Sequence, residues 1–316
     1  MSPLPVARVE GGNRLFTVVG VDFMGPINVK SNRNTLKRYC CLYTCMASRA
    51  SHLEMAYDLT TGSFLMALRR FLAVRGMATK VIYCDNATNF IGGKQELRRG
   101  LERLRSKEIG DNLSSRGISF RHSPPLASHQ GGVYESLFRL VRKAMTALMT
   151  DKHYRSLTDE GLWTLFKEIE LILNCRPLTR VSADPEDFQA LTPMTLLNGC
   201  LDHTSPPDVF VSSDGLRASY RASQRQADLF WQRWRVEYLS MLQKRHKWLF
   251  PNKNIQPQTL VLIKDDNVPR GSWPMGIVTS VIPDRDQVVR RVKIRTANGN
   301  ELMRDVRKLC VLECDV

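Results

Sequence analysis

Val18-Val-Gly-Val-Asp-Phe-Met-Gly-Pro26 decides how this chain is read. An apolar, strand-forming run arrives at a carboxylate, Asp22, and is then cut by Gly25-Pro26, so Leu15 to Val21 reads as a buried strand that delivers an acid to a sheet edge. The pattern returns in Val81-Ile-Tyr-Cys-Asp-Asn-Ala-Thr-Asn-Phe90, where a strand from Lys80 to Cys84 ends at Asp85. A third acid, Glu135, stands in His129-Gln-Gly-Gly-Val-Tyr-Glu135, at the opening of a helix-like stretch. Two strand ends and a helix start can bring all three carboxylates to one edge of a sheet. Two-metal phosphoryl-transfer sites are built this way, because Mg2+ needs hard, anionic oxygens held in fixed geometry. Taken singly, an Asp after a strand is a turn or cap residue, and a Glu in a first helical turn complements the helix dipole. Only the joint occurrence of the three, in order, points to a metal site.

Outward from these motifs, Arg38 to Met46 and Ser51 to Tyr57 read as two further strands joined by a short polar turn. Phe64, Leu65, Leu68, Phe71 and Leu72 repeat at helical spacing, with Gly76 at the stop. A basic amphipathic segment, Gly93 to Arg105, reads as a surface helix, Ile118 to His122 as a fifth strand, and Gly131 to Met149 and Gly161 to Asn174 as helices. Together they describe one α/β domain with a mixed sheet. From Thr179 to Ala218 the chain is rich in Pro, Ser, Asp and Thr and reads as a connector. One apolar helical stripe follows, from Ser223 to His246, carried by Leu229, Phe230, Trp234, Tyr238, Leu239 and Leu242. Thr259 to Ile263, Gly276 to Ile282, Val288 to Arg295 and Glu301 to Arg304 are short alternating strands with turn signals between them, which fits a small β-barrel.

The 316 residues carry a formal charge of +15, which favours nucleic acid over a small acidic substrate as partner, with an anionic membrane as rival. Between Arg217 and Cys310 there are 19 Lys and Arg against 8 Asp and Glu, a net of +11; the other 27 basic and 23 acidic residues leave +4 elsewhere. The carboxylate-bearing part is thus nearly balanced, and most of the polyanion-binding charge lies behind it. No run of about 18 apolar residues suggests a transmembrane helix, and no signal peptide is apparent. Eight scattered cysteines read as reduced, mainly buried thiols of a cytosolic or nuclear protein. Cys310 and Cys314 lack a neighbouring histidine to complete a zinc site. His52, His122 and His129 read as ordinary structural residues, His129 being the one near enough to the third motif to touch substrate.

These blocks resemble the catalytic core of retroviral-type integrases, the D,D,E recombinases with an RNase H-like fold, and in particular integrases of Bel/Pao long-terminal-repeat retrotransposons. Met1-Ser-Pro-Leu-Pro-Val-Ala-Arg8, Gly20-Val-Asp-Phe-Met-Gly-Pro26, Cys84-Asp-Asn-Ala-Thr-Asn-Phe90 and Gly131-Gly-Val-Tyr-Glu135 carry the likeness in the core. Phe230-Trp-Gln-Arg-Trp234, Glu237-Tyr-Leu239, Lys247-Trp248, Leu260-Val-Leu-Ile-Lys-Asp-Asp266 and Arg307-Lys-Leu-Cys310 carry it in the tail. The resemblance implies an N-terminal lead-in (1–12), an RNase H-like catalytic core (13–178), a connector (179–222), a basic helical arm (223–250) and an SH3-like, DNA-binding barrel (255–312). It implies Asp22, Asp85 and Glu135 as catalytic residues and ligands of two Mg2+ ions, with Mn2+ able to substitute. The implied activity is 3′-end processing and strand transfer of element DNA into target DNA. Double-stranded element ends and target DNA would be the partners of a homo-oligomer, a dimer or tetramer on DNA, that works in the nucleus after passing through the cytoplasm and is not secreted.

Several neighbours have expected roles. Asn86 and Asn89 either orient the adjacent ligand and contact DNA or simply build the turn. Arg139 and Arg142, four and seven residues after Glu135, share its helix face, and with Lys143 they are expected to hold DNA phosphates. Lys244, Arg245 and Lys247 beside Trp248, and Arg291, Lys293 and Arg295 along one strand face, are expected to give salt-sensitive, sequence-independent DNA contact. Three departures from the family pattern stand out. The 49 residues between Asp85 and Glu135 exceed the retroviral spacing, Ala87 stands where many relatives have Gly, and a His-His-Cys-Cys zinc domain is expected upstream. The alternative reading is an integrase-derived, non-catalytic DNA-binding or scaffold protein. A nuclease cutting RNA–DNA hybrids suits the acids but not the basic tail.

Overall fold

The computed structural model describes residues 14–76, 78–84, 107–114, 117–122, 128–151, 157–181, 184, 187–199, 218–243, 254–266 and 268–312. They fall into two compact units, one within Met1–Leu173 and Phe210–Phe230, the other within Asn174–Val209 and Trp231–Val316.

In the first unit β1 (Val18–Ser31), β2 (Asn34–Cys45), β3 (Ser51–Ala56), β4 (Val81–Cys84) and β5 (Ser119–His122) form one sheet in the order β3-β2-β1-β4-β5. The first three strands meander antiparallel, whereas β4 runs parallel to β1 and β5 parallel to β4. This is the mixed, five-stranded RNase H-like sheet that the motifs imply. As the central strand, β1 is buried continuously from Val19 to Met24, which explains a nearly unbroken apolar run where a half-exposed strand would alternate.

The strand does not stop at Val21, as its apolar run suggests, but continues to Ser31. Gly25-Pro26 is accommodated because the β1–β2 register shifts between Met24 and Ile27, and an irregularity is where a strand tolerates a residue without an N–H. Gly25 has φ +137°, and a Cβ there would lie 3.0 Å from the Arg38 carbonyl oxygen. Only glycine lets the two backbones approach so closely. Past it, Ile27 and Val29 are buried while Asn28 and Lys30 are exposed, and that alternation carries the hairpin onward.

Among the described residues, four helices flank this sheet: α1 (Thr61–Val74), α2 (Lys107–Ser114), α3 (Ser128–Thr150) and α4 (Asp159–Asn174). Thr60 caps α1, its Oγ1 accepting the Ser63 N–H at 3.2 Å. The buried face of α1 is Phe64, Ala67, Leu68 and Phe71, and Phe71 stacks on Tyr43 of β2 with ring centroids 4.2 Å apart. Leu137, Phe138, Val141, Ala144, Met145 and Leu148 form the buried stripe of α3; Leu162, Leu165, Phe166, Ile169 and Ile172 form that of α4. Each large side chain in these stripes contributes roughly 2 kcal/mol of burial. The segment expected as a helix from Gly93 to Arg105 lies outside the described residues.

Strand β3 is the sheet's edge, yet every one of its residues is buried. Its outward backbone groups are satisfied by side chains from the helices. The Leu53 N–H donates to Glu170 Oε2 at 3.1 Å, the Lys167 ammonium donates to the Leu53 carbonyl at 2.8 Å, and the Arg70 guanidinium donates to the Met55 carbonyl. Charged side chains therefore stand where a further strand would pair, which closes the edge to strand addition.

In the second unit β8 (Leu260–Ile263), β9 (Met275–Pro283), β10 (Val289–Thr296), β11 (Glu301–Asp305) and β12 (Leu309–Val311) form an antiparallel sheet in the order β11-β10-β9-β8-β12, the expected small barrel-like domain. Strand β12 lies beyond the four strands legible in the sequence. Leu260 and Leu262 face a core with Ile277, Cys310, Leu312, Ala190 and Leu239, while Val261 and Ile263 face another with Val278, Val292, Ile294 and Leu309. Burial on both faces makes the β8 sequence a solid apolar run. Gly276 lets β9 meet β10: a Cβ there would fall 2.1 Å from Ile294 Cγ2. Within the stretch read as a connector, the described residues carry β6 (Thr179–Arg180) paired with β7 (Ala190–Leu191), and α5 (Pro193–Asn198). Helix α6 (Ala218–Leu242) is the apolar-striped helix. In this unit its Trp231, Trp234, Tyr238 and Leu239 are buried, and the Tyr238 hydroxyl donates to the Pro177 carbonyl at 2.6 Å.

Candidate functional site

Asp22 sits on the central strand at the level where β4 ends. Cys84, the last residue of β4, pairs with Val21, and the next residue in sequence is Asp85. The Asp22 side chain is directed into a nearly closed environment, the residue being only 8 % exposed. Its Oδ1 accepts the Phe23 N–H at 2.8 Å, and its Oδ2 is in an ion pair with the half-buried Arg142 guanidinium of α3. A buried carboxylate is tolerable only when a cation or donors compensate it, so the local electrostatics call for positive charge at Oδ2.

Glu135 lies within α3, one and two turns before Arg139 and Arg142; its side chain lies outside the described residues. So do Asp85, Asn86 and Asn89. The structure therefore brings Asp22 together with Arg142, sets Arg139 and Lys143 exposed on the same helix, and leaves the meeting of the three acids undescribed. Among the described residues no group of three or more His, Cys, Asp or Glu could hold a metal ion. The chemistry of Asp22 nevertheless suits a divalent cation: it is a hard anionic oxygen donor on a rigid central strand, in a pocket of charge that already attracts a cation.

A second polar cluster in this unit escaped the sequence reading. His52 Nε2 lies 2.9 Å from Glu54 Oε1 and its Nδ1 3.2 Å from Glu170 Oε1. Lys167 Nζ contacts Glu170 at 3.0 Å, and Arg70 Nε contacts Glu54 at 2.6 Å. Burial opposes charge on both carboxylates, but His52 and the neighbouring cations overcome it, holding Glu54 below its ordinary value and Glu170 down to about 2. Burial likewise opposes the imidazolium, and the hydrogen bonds it donates to Glu170 and Glu54 outweigh that to raise His52. The available signal was Glu54 two residues after His52 in a buried strand, and Glu170 within the apolar stripe of α4. No described geometry assigns this cluster chemistry; it holds the edge of β3.

On the second unit Arg291 and Lys293 are exposed on one face of β10, alternating with buried Val292 and Ile294. Arg295 is half-buried, its guanidinium carbon 5.8 Å from the centre of the Phe188 ring. Arg290 is engaged instead by Asp284 and Asp286, each with an oxygen 2.5 Å away. Lys244, Arg245 and Lys247 lie outside the described residues. The described cysteines are free thiols, and burial pushes Cys310 up to about 11.

Residues 218–312 match a family of unknown function (DUF5641). No curated protein matches the chain. Among solved structures, a chain of the simian T-cell lymphotropic virus intasome, determined by cryo-EM in complex with a PP2A regulatory subunit, is similar over 100% of this chain and 85% of its own, at 11% identity and a TM-score of 0.40. The HTLV-2 integrase catalytic core domain, in a dimeric form with magnesium, is similar over 52% of this chain and 90% of its own, at 13% identity and a TM-score of 0.34.

Proposed function

We propose that this chain is a Bel/Pao-type retrotransposon integrase, a polynucleotidyl transferase that processes the 3′ ends of element DNA and joins them to target DNA. The observation that supports it most is Asp22, a buried carboxylate on the central strand of an RNase H-like sheet, level with the end of β4 and ion-paired to the helix that carries Glu135. Asp22, Asp85 and Glu135 would hold two Mg2+ ions, with Mn2+ as a substitute. Bound ions of this kind supply activation of the attacking oxygen and stabilisation of the leaving one. Arg139, Arg142 and Lys143 on α3 hold the phosphates of the element end, with Asn86 and Asn89 orienting the strand beside Asp85. Arg291, Lys293 and Arg295, with Lys244, Arg245 and Lys247, grip duplex DNA without reading sequence. Water cuts the element end first, and the freed 3′ hydroxyl then attacks target DNA, within a homo-oligomer in the nucleus.

The test is a strand-transfer assay with oligonucleotides bearing the element's terminal sequence, in Mg2+ or Mn2+, comparing wild type with Glu135→Gln. Joined product from wild type and none from the variant is expected. Product that persists in Glu135→Gln refutes the site assignment. DNA binding by wild type without product in either metal favours a non-catalytic scaffold.

A further inference from the structure

We infer that Arg142 is a two-position residue that covers Asp22 in the arrangement described and yields that carboxylate to a divalent ion when DNA draws the guanidinium away. The inference rests on the proposed role of Asp22 and extends it to control of when the site fills. Asp22 offers two oxygens, of which Oδ1 is engaged by the Phe23 N–H at 2.8 Å. Oδ2 is the oxygen that Arg142 contacts. A guanidinium hydrogen-bonded to that oxygen occupies its lone-pair direction and repels a second cation arriving there, so the two compete.

The two partners differ in exposure. The Asp22 side chain is 10% exposed and fixed on the central strand, whereas the Arg142 side chain is 37% exposed on a long stem. The arginine can therefore leave while the carboxylate stays. Its route out leads to the exposed part of α3, where Arg139 and Lys143 already present cations to solvent. A DNA phosphate held by those two gives the guanidinium a second anion, with the bidentate geometry that arginine favours. Metal binding and DNA binding are then coupled, and the coupling must act in both directions. Without DNA the chain resists loading a divalent ion; with DNA it accepts one.

The experiment measures Mn2+ affinity by electron paramagnetic resonance on the full chain, with and without a short duplex, for wild type, Arg142→Ala, Arg142→Gln and Asp22→Asn. Arg142→Gln retains much of the half-buried stem and guards against misfolding, which circular dichroism checks. Without DNA, both Arg142 variants are expected to bind Mn2+ at least tenfold more tightly than wild type. Duplex should tighten Mn2+ binding to wild type and leave the variants nearly unchanged. Equal or weaker Mn2+ binding by the folded Arg142 variants overturns the inference, as does a duplex effect that survives in them. Unchanged Mn2+ affinity in Asp22→Asn instead sinks the site assignment on which it rests.

Discussion

Replacing Glu170 by Gln tests how the edge of β3 is held. Glu170 is 7 % exposed and accepts the Leu53 N–H while facing His52, Lys167 and, at 3.8 Å, Arg75. A carboxyl held near 2 where its ordinary value is 4.5 is favoured in its charged form by about 3 kcal/mol, at roughly 1.4 kcal/mol per pH unit. Glutamine keeps the shape and an acceptor for Leu53, so the loss is chiefly that of charge, and it leaves His52 and Lys167 partly uncompensated. The expected cost is about 3 kcal/mol at pH 5.5, or roughly 6–12 °C in the melting temperature of a unit this size. Because Glu170 is depressed, its share of stability is complete above 4.5 and fades as the pH falls toward 2. His52 is raised, so its share is complete below 6.5 and fades as the pH climbs through the higher, folded value. Wild type should therefore be steadiest between about 4.5 and 6.5, and Glu170→Gln should lose Glu170's share of the acid-side slope while that of Glu54 remains. Urea unfolding from pH 3 to 8, with hydrogen exchange of the Leu53 amide, measures both. A cost under about 1 kcal/mol, or an acid limb identical to wild type, would refute the reasoning.

Two further outcomes concern the second unit. Gly276→Ala drives a methyl to 2.1 Å from Ile294 Cγ2, an overpacking that should cost about 3 kcal/mol and speed exchange of β10 amides; an unchanged melting temperature would contradict the packing described. Arg291→Ala with Lys293→Ala should weaken duplex binding to every sequence alike and flatten its salt dependence by about two in log–log slope, whereas Arg290→Ala, whose guanidinium is held by Asp284 and Asp286, should change the slope little. Titrations of binding against salt separate these, and an Arg290 effect as large as the double substitution would count against the assignment.

The elements that the sequence announced are those whose cause is local. Phe64, Leu68 and Phe71 fall at helical spacing because α1 buries one stripe, and Leu260 to Ile263 is wholly apolar because both its faces are covered. Gly25-Pro26 misled the strand boundary for the opposite reason. A bulge is decided by the partner strand, whose Arg38 carbonyl approaches Gly25, and nothing in the nine residues around it carries that information. The same holds for polar pairs. Asp22 and Arg142 are 120 residues apart, and Glu170 is 118 residues from His52; residue type declares that each needs a partner but not which partner. Asp22 was legible as a candidate site residue because its motif is local, and the cation that pairs with it was legible only as a helix-face residue expected to hold phosphate.

Charge counting in the tail is subject to the same distinction. The +11 between Arg217 and Cys310 treats every cation as available, but several are spent inside the fold. Arg235 is buried and donates to the Asp265 and Asp266 carbonyls, Arg290 is divided between two aspartates, and Arg307 holds Asp305 down to about 2. Surface pairs of that kind contribute little stability, yet each occupies donors that a phosphate would otherwise take. Arg291 and Lys293 differ because the strand period turns them outward while Val292 and Ile294 enter the core. Their position follows from the fold of the sheet, so a phosphate-binding face there is as rigid as β10 itself. Polyanion affinity in this unit should accordingly track a few aligned cations more closely than net charge.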